Sequence, residues 1–226
     1  SHVVKLPLLP NRVNEGINVL LVKREHVGGG RYRQTAKMCS VRNGSVLGSA
    51  VQVRDEALRN LPLSHDTVTL DAATGRYSSR GHAQLWGIKP VPEAYNAPFP
   101  KSLEETHLPP FSEWIFDMDE DGDLGVSMFA TGLASGQLSG IQRKRFSLEG
   151  KAFSADRILG LASMRKESLV LTSTSRVIKA GRFQLAHSAE NKAASFFEEL
   201  RVADDATCET VRRMFVSGDF LEESPF

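Results

Sequence analysis

The stretch that decides the predicted fold is Trp114-Ile115-Phe116-Asp117-Met118-Asp119-Glu120-Asp121-Gly122-Asp123-Leu124-Gly125-Val126-Ser127-Met128-Phe129-Ala130. Two apolar runs in it flank an acidic turn at Asp121-Gly122, and Asp-Gly between such runs is a strong short-range signal for a β-hairpin. Apolar side chains recur at every second position on both arms, as a half-buried strand requires. The stretch therefore predicts an antiparallel strand pair with Trp114 in its core.

The same turn copies the first half of a calcium-binding loop, because Asp117, Asp119 and Asp121 are followed by Gly122. A complete loop of that kind has a bidentate Glu at its twelfth position, where this chain has Met128, and a helix on either side. The hairpin is the favoured interpretation, and the sequence predicts no metal site.

Composition is that of an ordinary globular protein, with 24% charged and 41% hydrophobic residues among 226. The 28 Lys and Arg residues nearly balance the 27 Asp and Glu residues, so no overall field would recruit nucleic acid or an anionic membrane. No apolar run is long enough to cross a bilayer, and no signal peptide opens the chain. Cys39 and Cys208 predict two small buried thiols in a reducing compartment, and hence an intracellular protein.

The span 90–110 carries six prolines, which exclude a regular helix or a paired strand there. It predicts a stiff connection between a first β-rich unit, residues 1–89, and a second, residues 111–226. The turn Asn43-Gly44 predicts a hairpin inside the first unit. We therefore expect an α+β, β-rich chain of two antiparallel-sheet subdomains, the second closed by C-terminal helix.

Hydrophobic periodicity changes from that of a strand to that of a helix near the end of the chain. From Ser188 onward, Ala193, Phe196, Phe197 and Leu200 share one face of a predicted helix. A second helix is predicted beyond it, ended by Gly218. Its apolar stripe comprises Cys208, Val211, Met214 and Phe215.

Two short basic runs supply the candidate partner-binding residues. They are Arg143, Lys144 and Arg145, followed by Arg165 and Lys166. Together they could form a cationic patch for an acidic peptide or a phosphate group, and a solvated strand face is the alternative interpretation. No catalytic set is assembled by the sequence, no cofactor is expected, and the six histidines lack the spacing of metal ligands.

Leu171-Thr172-Ser173-Thr174-Ser175 resembles the Ser-Thr-Ser strand of ADP-ribosyltransferases. That family also has a Glu two residues after a Glu or Gln late in the chain, and Phe220-Leu221-Glu222-Glu223-Ser224 lacks this spacing. An enzyme of this kind is therefore kept only as an alternative, as is a structural or coat protein.

A second resemblance concerns the start of the predicted second unit. Leu108-Pro109-Pro110-Phe111-Ser112-Glu113-Trp114-Ile115 is similar to the opening of the second box in the tandem polo-box module of polo-like kinases. The turn at Asp121-Gly122 with 124–129 is similar to that box's first hairpin, and Asn43-Gly44-Ser45-Val46 to the equivalent turn of the first box. Tandem pleckstrin-homology-like units are the alternative architecture.

The chain departs from the polo-box pattern at the phosphopeptide site. The family's His-x-Lys pair would fall on Gly132 and Ala134, and the strand from Ile17 to Lys23 carries no Trp. The resemblance then implies a divergent module, as in the kinetochore kinases of kinetoplastids, which docks partner proteins without the phosphopeptide pincer. It implies a nuclear or kinetochore location and a protein or peptide partner. The balanced charge and the short apolar runs argue against nucleic acid and membrane as partners.

Overall fold

A computed structural model of the chain describes residues 2–11, 14–42, 45–46, 49–188 and 195–221. Side chains are described for residues 16–42, 50–79, 83–188 and 195–221. Within these residues no helix has the length and apolar character needed to cross a membrane.

Strands make up most of the described structure. In chain order they are β1 (His2–Asn11), β2 (Asn14–Gly28), β3 (Arg31–Arg42), β4 (Ser45–Val46), β5 (Ser49–Val53), β6 (Ser64–Leu70), β7 (Arg76–Trp86), β8 (Val126–Ala130), β9 (Gly136–Ser154), β10 (Arg157–Ser173), β11 (Phe183–His187) and β12 (Phe196–Arg201). The helices are α1 (Asp55–Asn60), α2 (Leu103–Thr106), α3 (Phe111–Trp114) and α4 (Cys208–Ser217), with 3-10 turns at Pro92–Tyr95 and Gly132–Ala134.

Eight of the strands close into a ring. Antiparallel pairs join β1 to β2, β2 to β3, β3 to β6, β6 to β7, β7 to β9, β9 to β10 and β10 to β12, and β12 pairs back with β1. The same sheet is extended by β11, which pairs with β10, and by β8, β5 and β4, which follow in succession from β9. The predicted β-rich α+β class, with antiparallel sheet and a C-terminal helix, is confirmed.

The span 90–110 does not separate two hydrogen-bonded sheets. The ring takes β1, β2, β3, β6 and β7 from residues 1–89, and β9, β10 and β12 from residues 111–226. The span instead covers one outer face of the sheet, where Ala94 and Phe99 are buried in a cluster with Leu85, Ile141 and Leu169. It is a connection across a surface, but the expectation that its prolines exclude helix is wrong, because α2 forms between Pro100 and Pro109, where the Ser102 side chain caps it.

The alternation of side chains along β2 shows how the interior is filled. Leu20 and Val22 belong to the main core cluster inside the ring, whereas Val19 and Leu21 face outward beneath α4. The helix α4 matches its prediction, because Val211 is fully buried against these outer residues and Gly218 ends the helix with a φ of 79°.

The helix predicted from Ser188 is wrong over its second half. Residues 189–194 lie outside the described residues, and Phe196–Arg201 forms β12 instead. This strand closes the ring, because Val3 pairs with Leu200 on one side and Leu161 pairs with Phe196 on the other. Pairing on both edges with distant strands outweighs the local helical period.

The hairpin predicted around Asp121-Gly122 is also wrong. Trp114 ends the short helix α3, and only the second arm forms a strand, β8, which pairs with β9 and β5. Aspartate side chains take over the local turn: the Asp117 carboxylate accepts hydrogen bonds from the amides of Asp121 and Gly122. These bonds compete with a two-residue turn for the same backbone groups. The other predicted turn, Asn43-Gly44, lies outside the described residues.

The two cysteines are not free thiols. Cys39 on β3 and Cys208 at the start of α4 form a disulfide across a sequence separation of 169 residues. The bond ties the C-terminal helix to the outside of the ring. The expectation of two reduced thiols is therefore wrong, and a persistent disulfide is typical of an oxidising compartment rather than the nucleus.

Candidate functional site

One edge of the sheet is formed by β11, and β4 lies at the other end of the strand order. Within the described residues this strand pairs only with β10, with His187 opposite Arg165 and Phe183 opposite Leu169. An edge strand presents unpaired backbone groups that an added strand can use.

Backbone geometry shows which groups of β11 face outward. The amide of Ser188 donates to the carbonyl of Met164 at 2.9 Å, so the even-numbered residues of this segment bond to β10. In an antiparallel ladder the intervening residues direct their N–H and C=O groups to the other side. For β11 these outward residues are Phe183, Leu185 and His187.

The segment that leads into this edge is rich in cations. Arg176, Lys179 and Arg182 precede or adjoin β11 and are exposed, and no acidic residue occurs from 168 to 188. Arg165, on the neighbouring strand, has a side chain 53% exposed. Three of these cations lie outside the predicted patch, although the absence of acidic residues over this span is a signal that the sequence already carried.

The five predicted partner-binding residues fall on two faces of the sheet. Arg143 is buried and its guanidinium lies 2.8 Å from the Glu167 carboxylate, while it donates to the carbonyls of Ala94 and Ala97 at 3.2 and 2.6 Å. It holds the proline-rich connection against β9. Arg145, on the same face, is half-buried and donates to the carbonyl of Tyr95.

Lys144 and Lys166 point to the opposite face. They are direct partners across β9 and β10, and the Lys144 ammonium lies 4.2 Å above the ring of buried Trp86. Burial lowers the pKa of Lys144 well below its usual value, and the charge of Lys166 lowers it further. Burial also lowers the pKa of Lys166. Partner binding by the five residues stays a prediction, and Arg165 is the exposed member among them.

The acidic loop brings three carboxylates together. One oxygen each of Asp117, Asp119 and Asp121 lies within 4.8 Å of the others. Burial raises the pKa of Asp119, the Ser127 amide that donates to it opposes this shift, and the two neighbouring carboxylates add to it. Arg54 also lies 3.3 Å from Asp121. These contacts stabilise the conformation of the loop, and we assign no metal to it.

Ser173, the residue behind the ADP-ribosyltransferase alternative, serves the turn after β10. Its hydroxyl donates to the carbonyl of Ile178 and accepts from the amide of Ser175 at 3.1 Å. Both contacts are local to this turn, and the enzyme alternative stays a prediction.

Comparison with known proteins finds no matching family model, no matching curated protein and no matching solved structure.

Proposed function

We propose that this chain is a non-catalytic docking module that binds an extended acidic segment of a partner protein along β11. The observation that carries the proposal is that β11, among the described residues, pairs on one side only and follows exposed cations in a segment with no acidic residue from 168 to 188. Added strands of this kind gain affinity from main-chain hydrogen bonds and selectivity from side chains.

Charge and backbone act at different stages of the proposed binding. Arg176, Lys179 and Arg182 attract an acidic segment and speed its encounter with the edge. The outward groups of Phe183, Leu185 and His187 then supply the ladder. Because exposed charges are screened by salt, association should slow as ionic strength rises.

The proposal keeps the class of function that the polo-box resemblance implies and moves the binding site to one strand edge. The segment behind that resemblance forms α3 and an acidic loop rather than a hairpin. The disulfide between Cys39 and Cys208 favours an oxidising compartment over the nucleus or kinetochore.

A backbone substitution tests the edge directly. In the Leu185→Pro variant the N–H lost is one that points away from β10, so the native ladder remains. We expect this variant to lose binding to a labelled peptide of alternating Glu and Val, measured by fluorescence anisotropy. Leu185→Ala is the matched control, because it removes the side chain and keeps the N–H. Equal affinity of the Pro and Ala variants would overturn the proposal.

A charge reversal tests the attraction separately. Arg176→Glu combined with Lys179→Glu should slow association of the acidic peptide and flatten its salt dependence. Arg59→Glu is the control, because Arg59 is exposed on α1 and distant in the chain. A peptide with Lys in place of Glu should bind the double variant better than the native chain; the opposite order would contradict the charge assignment.

A further inference from the structure

A cavity of about 630 Å³ opens at one end of the ring. Its walls come from β2, β3, β6, β9, β10 and β12, together with the turns at Asp71–Gly75 and Ala155–Asp156. A ring of eight strands is wide enough for side chains to fill or for one small ligand to occupy. In this ring apolar side chains fill one part of the interior, and the cavity occupies the end described here.

The floor of the cavity is a layer of paired polar groups. Arg24 makes a two-pronged contact with Glu199, with its two terminal nitrogens 2.5 and 2.7 Å from the carboxylate oxygens. It also donates to the Tyr77 hydroxyl at 3.0 Å and to the Gln34 side chain at 2.8 Å. These contacts use four of the five N–H groups of a guanidinium. Among the described residues, one N–H on Nη1 is left for an acceptor from a ligand.

The walls and rim supply apolar and aromatic surface. Val68, Leu70 and Ile158 line the cavity above the floor. At the rim the rings of His26 and Tyr32 lie 5.1 Å apart, at 51° to each other. Such a pair offers a face on which another aromatic ring can pack.

The charges of the lining cancel. Three arginines, at positions 24, 157 and 201, are matched by Asp71, Asp156 and Glu199. The lining therefore has no excess of either charge to balance a charged ligand. A neutral ligand would contact apolar walls and a few polar groups. Ligand sites of this volume typically have that composition.

We propose that this end of the ring binds a neutral, planar aromatic compound that carries a carbonyl acceptor. The aromatic body lies between the His26–Tyr32 pair and the wall formed by Leu70 and Ile158. The carbonyl accepts the remaining N–H of Arg24. This site is independent of the β11 edge, and either proposal can fail without the other.

A neutral fluorescent ketone, 6-propionyl-2-dimethylaminonaphthalene, is the probe for this site. We expect it to bind the full chain at one site, with a blue shift of its emission. Ala152→Trp fills the cavity and should weaken binding at least about tenfold, whereas Phe153→Trp is the matched control on the neighbouring residue. Phe153 is 63% exposed and, by alternation, faces away from the cavity.

A second variant guards against a folding defect in the first. Tyr32→Ala removes one face of the aromatic pair from a partly exposed rim and should weaken the probe about two- to tenfold. Equal binding by the native chain and both cavity variants would overturn the site, as would no binding by the native chain. Tighter binding of the anionic dye 8-anilinonaphthalene-1-sulfonate than of the ketone at this site would overturn the assignment of a neutral ligand.

Discussion

Two cationic side chains inside the ring differ in the charge of their neighbours. Arg24 meets the Glu199 carboxylate, whereas Lys144 meets a second cation, Lys166. Burial would lower the pKa of Arg24, but Glu199 and the Tyr77 hydroxyl raise it above its usual value. Burial and the neighbouring charge both lower the pKa of Lys144. The counter-charge therefore decides the state of a buried cation, because both side chains are removed from water.

The two sites also occupy different parts of the ring. Lys144 lies eight residues from Ala152 along β9, roughly 26 Å at about 3.3 Å per residue. The paired layer lies under the open cavity, and the lysines lie toward the opposite end, beside Trp86. The paired cation therefore adds to the stability of the fold beneath the cavity, whereas the unpaired cation beside Trp86 lowers it.

Glu199→Gln should have the largest effect on stability. It leaves the Arg24 guanidinium, 8% exposed, without its counter-charge, and breaking such a pair costs about 3–5 kcal/mol. Urea unfolding of the native chain and the variant measures the loss. The double variant Arg24→Met with Glu199→Leu should recover most of it, since neither position then holds an unpaired buried charge. A double variant as unstable as the single one would contradict the account.

Arg143→Glu extends the comparison to a third buried cation. The change puts two carboxylates together, because Arg143 pairs with Glu167, and it removes the donors to Ala94 and Ala97. We expect a loss of about 3–5 kcal/mol in the free energy of unfolding. A binding defect in this variant would therefore report unfolding. If Arg143 were instead an exposed surface residue, the Arg143→Glu variant would have near-normal stability in the same urea titration.

Lys144→Met should stabilise the chain. The buried ammonium has no carboxylate partner among the described residues, so its burial is not offset by an opposite charge. We expect a gain of about 1–4 kcal/mol, the range found when buried ion pairs are replaced by apolar side chains. The native pKa lies below the unfolded value of about 10.4, so the unfolded chain binds more protons between the two values. The stability of the native chain then rises with pH through that window.

The pH dependence gives this prediction its own control. Urea unfolding at several pH values between about 7 and 10 should show a steeper rise for the native chain than for Lys144→Met. Parallel curves would mean that Lys144 keeps its ordinary pKa in the folded state.

Arg165→Glu should have the smallest effect. Its guanidinium lies 3.0 Å from Glu167, but the side chain is 53% exposed, and pairs of that kind contribute about 0–1 kcal/mol. This variant is the matched partner of Arg143→Glu, because both arginines contact the same carboxylate from different depths. A loss of unfolding free energy as large as that of Arg143→Glu would mean that burial does not separate the two ion pairs in strength.

Local patterns in the sequence predict the helix whose backbone hydrogen bonds join residues close together in the chain. The stripe that includes Val211 and the stop at Gly218 correctly place α4. The prolines of 90–110 do not exclude helix, because the short helix α2 forms between Pro100 and Pro109. By contrast, Phe196 and Leu200 share a helical face in the sequence, yet their segment pairs with strands from the far end and the middle of the chain. The residues of a short segment alone do not indicate which distant strands it will pair with.

The five residues of the predicted cationic patch lie on two faces of the sheet for a geometric reason. Successive residues of a strand point to opposite faces, so Arg143 and Lys144 cannot share one. That rule was available once a strand was predicted there. The edge of β11 was not, because being last in a sheet depends on the order of all the other strands.

Amide hydrogen exchange at β11 tests the proposed function most directly. In the free chain the outward amides of Phe183, Leu185 and His187 should exchange quickly, and those of Gln184 and Ala186 slowly. Binding of the acidic peptide should slow the three outward amides and leave the other two unchanged. Tight binding that left the three outward amides fast would contradict docking at this edge.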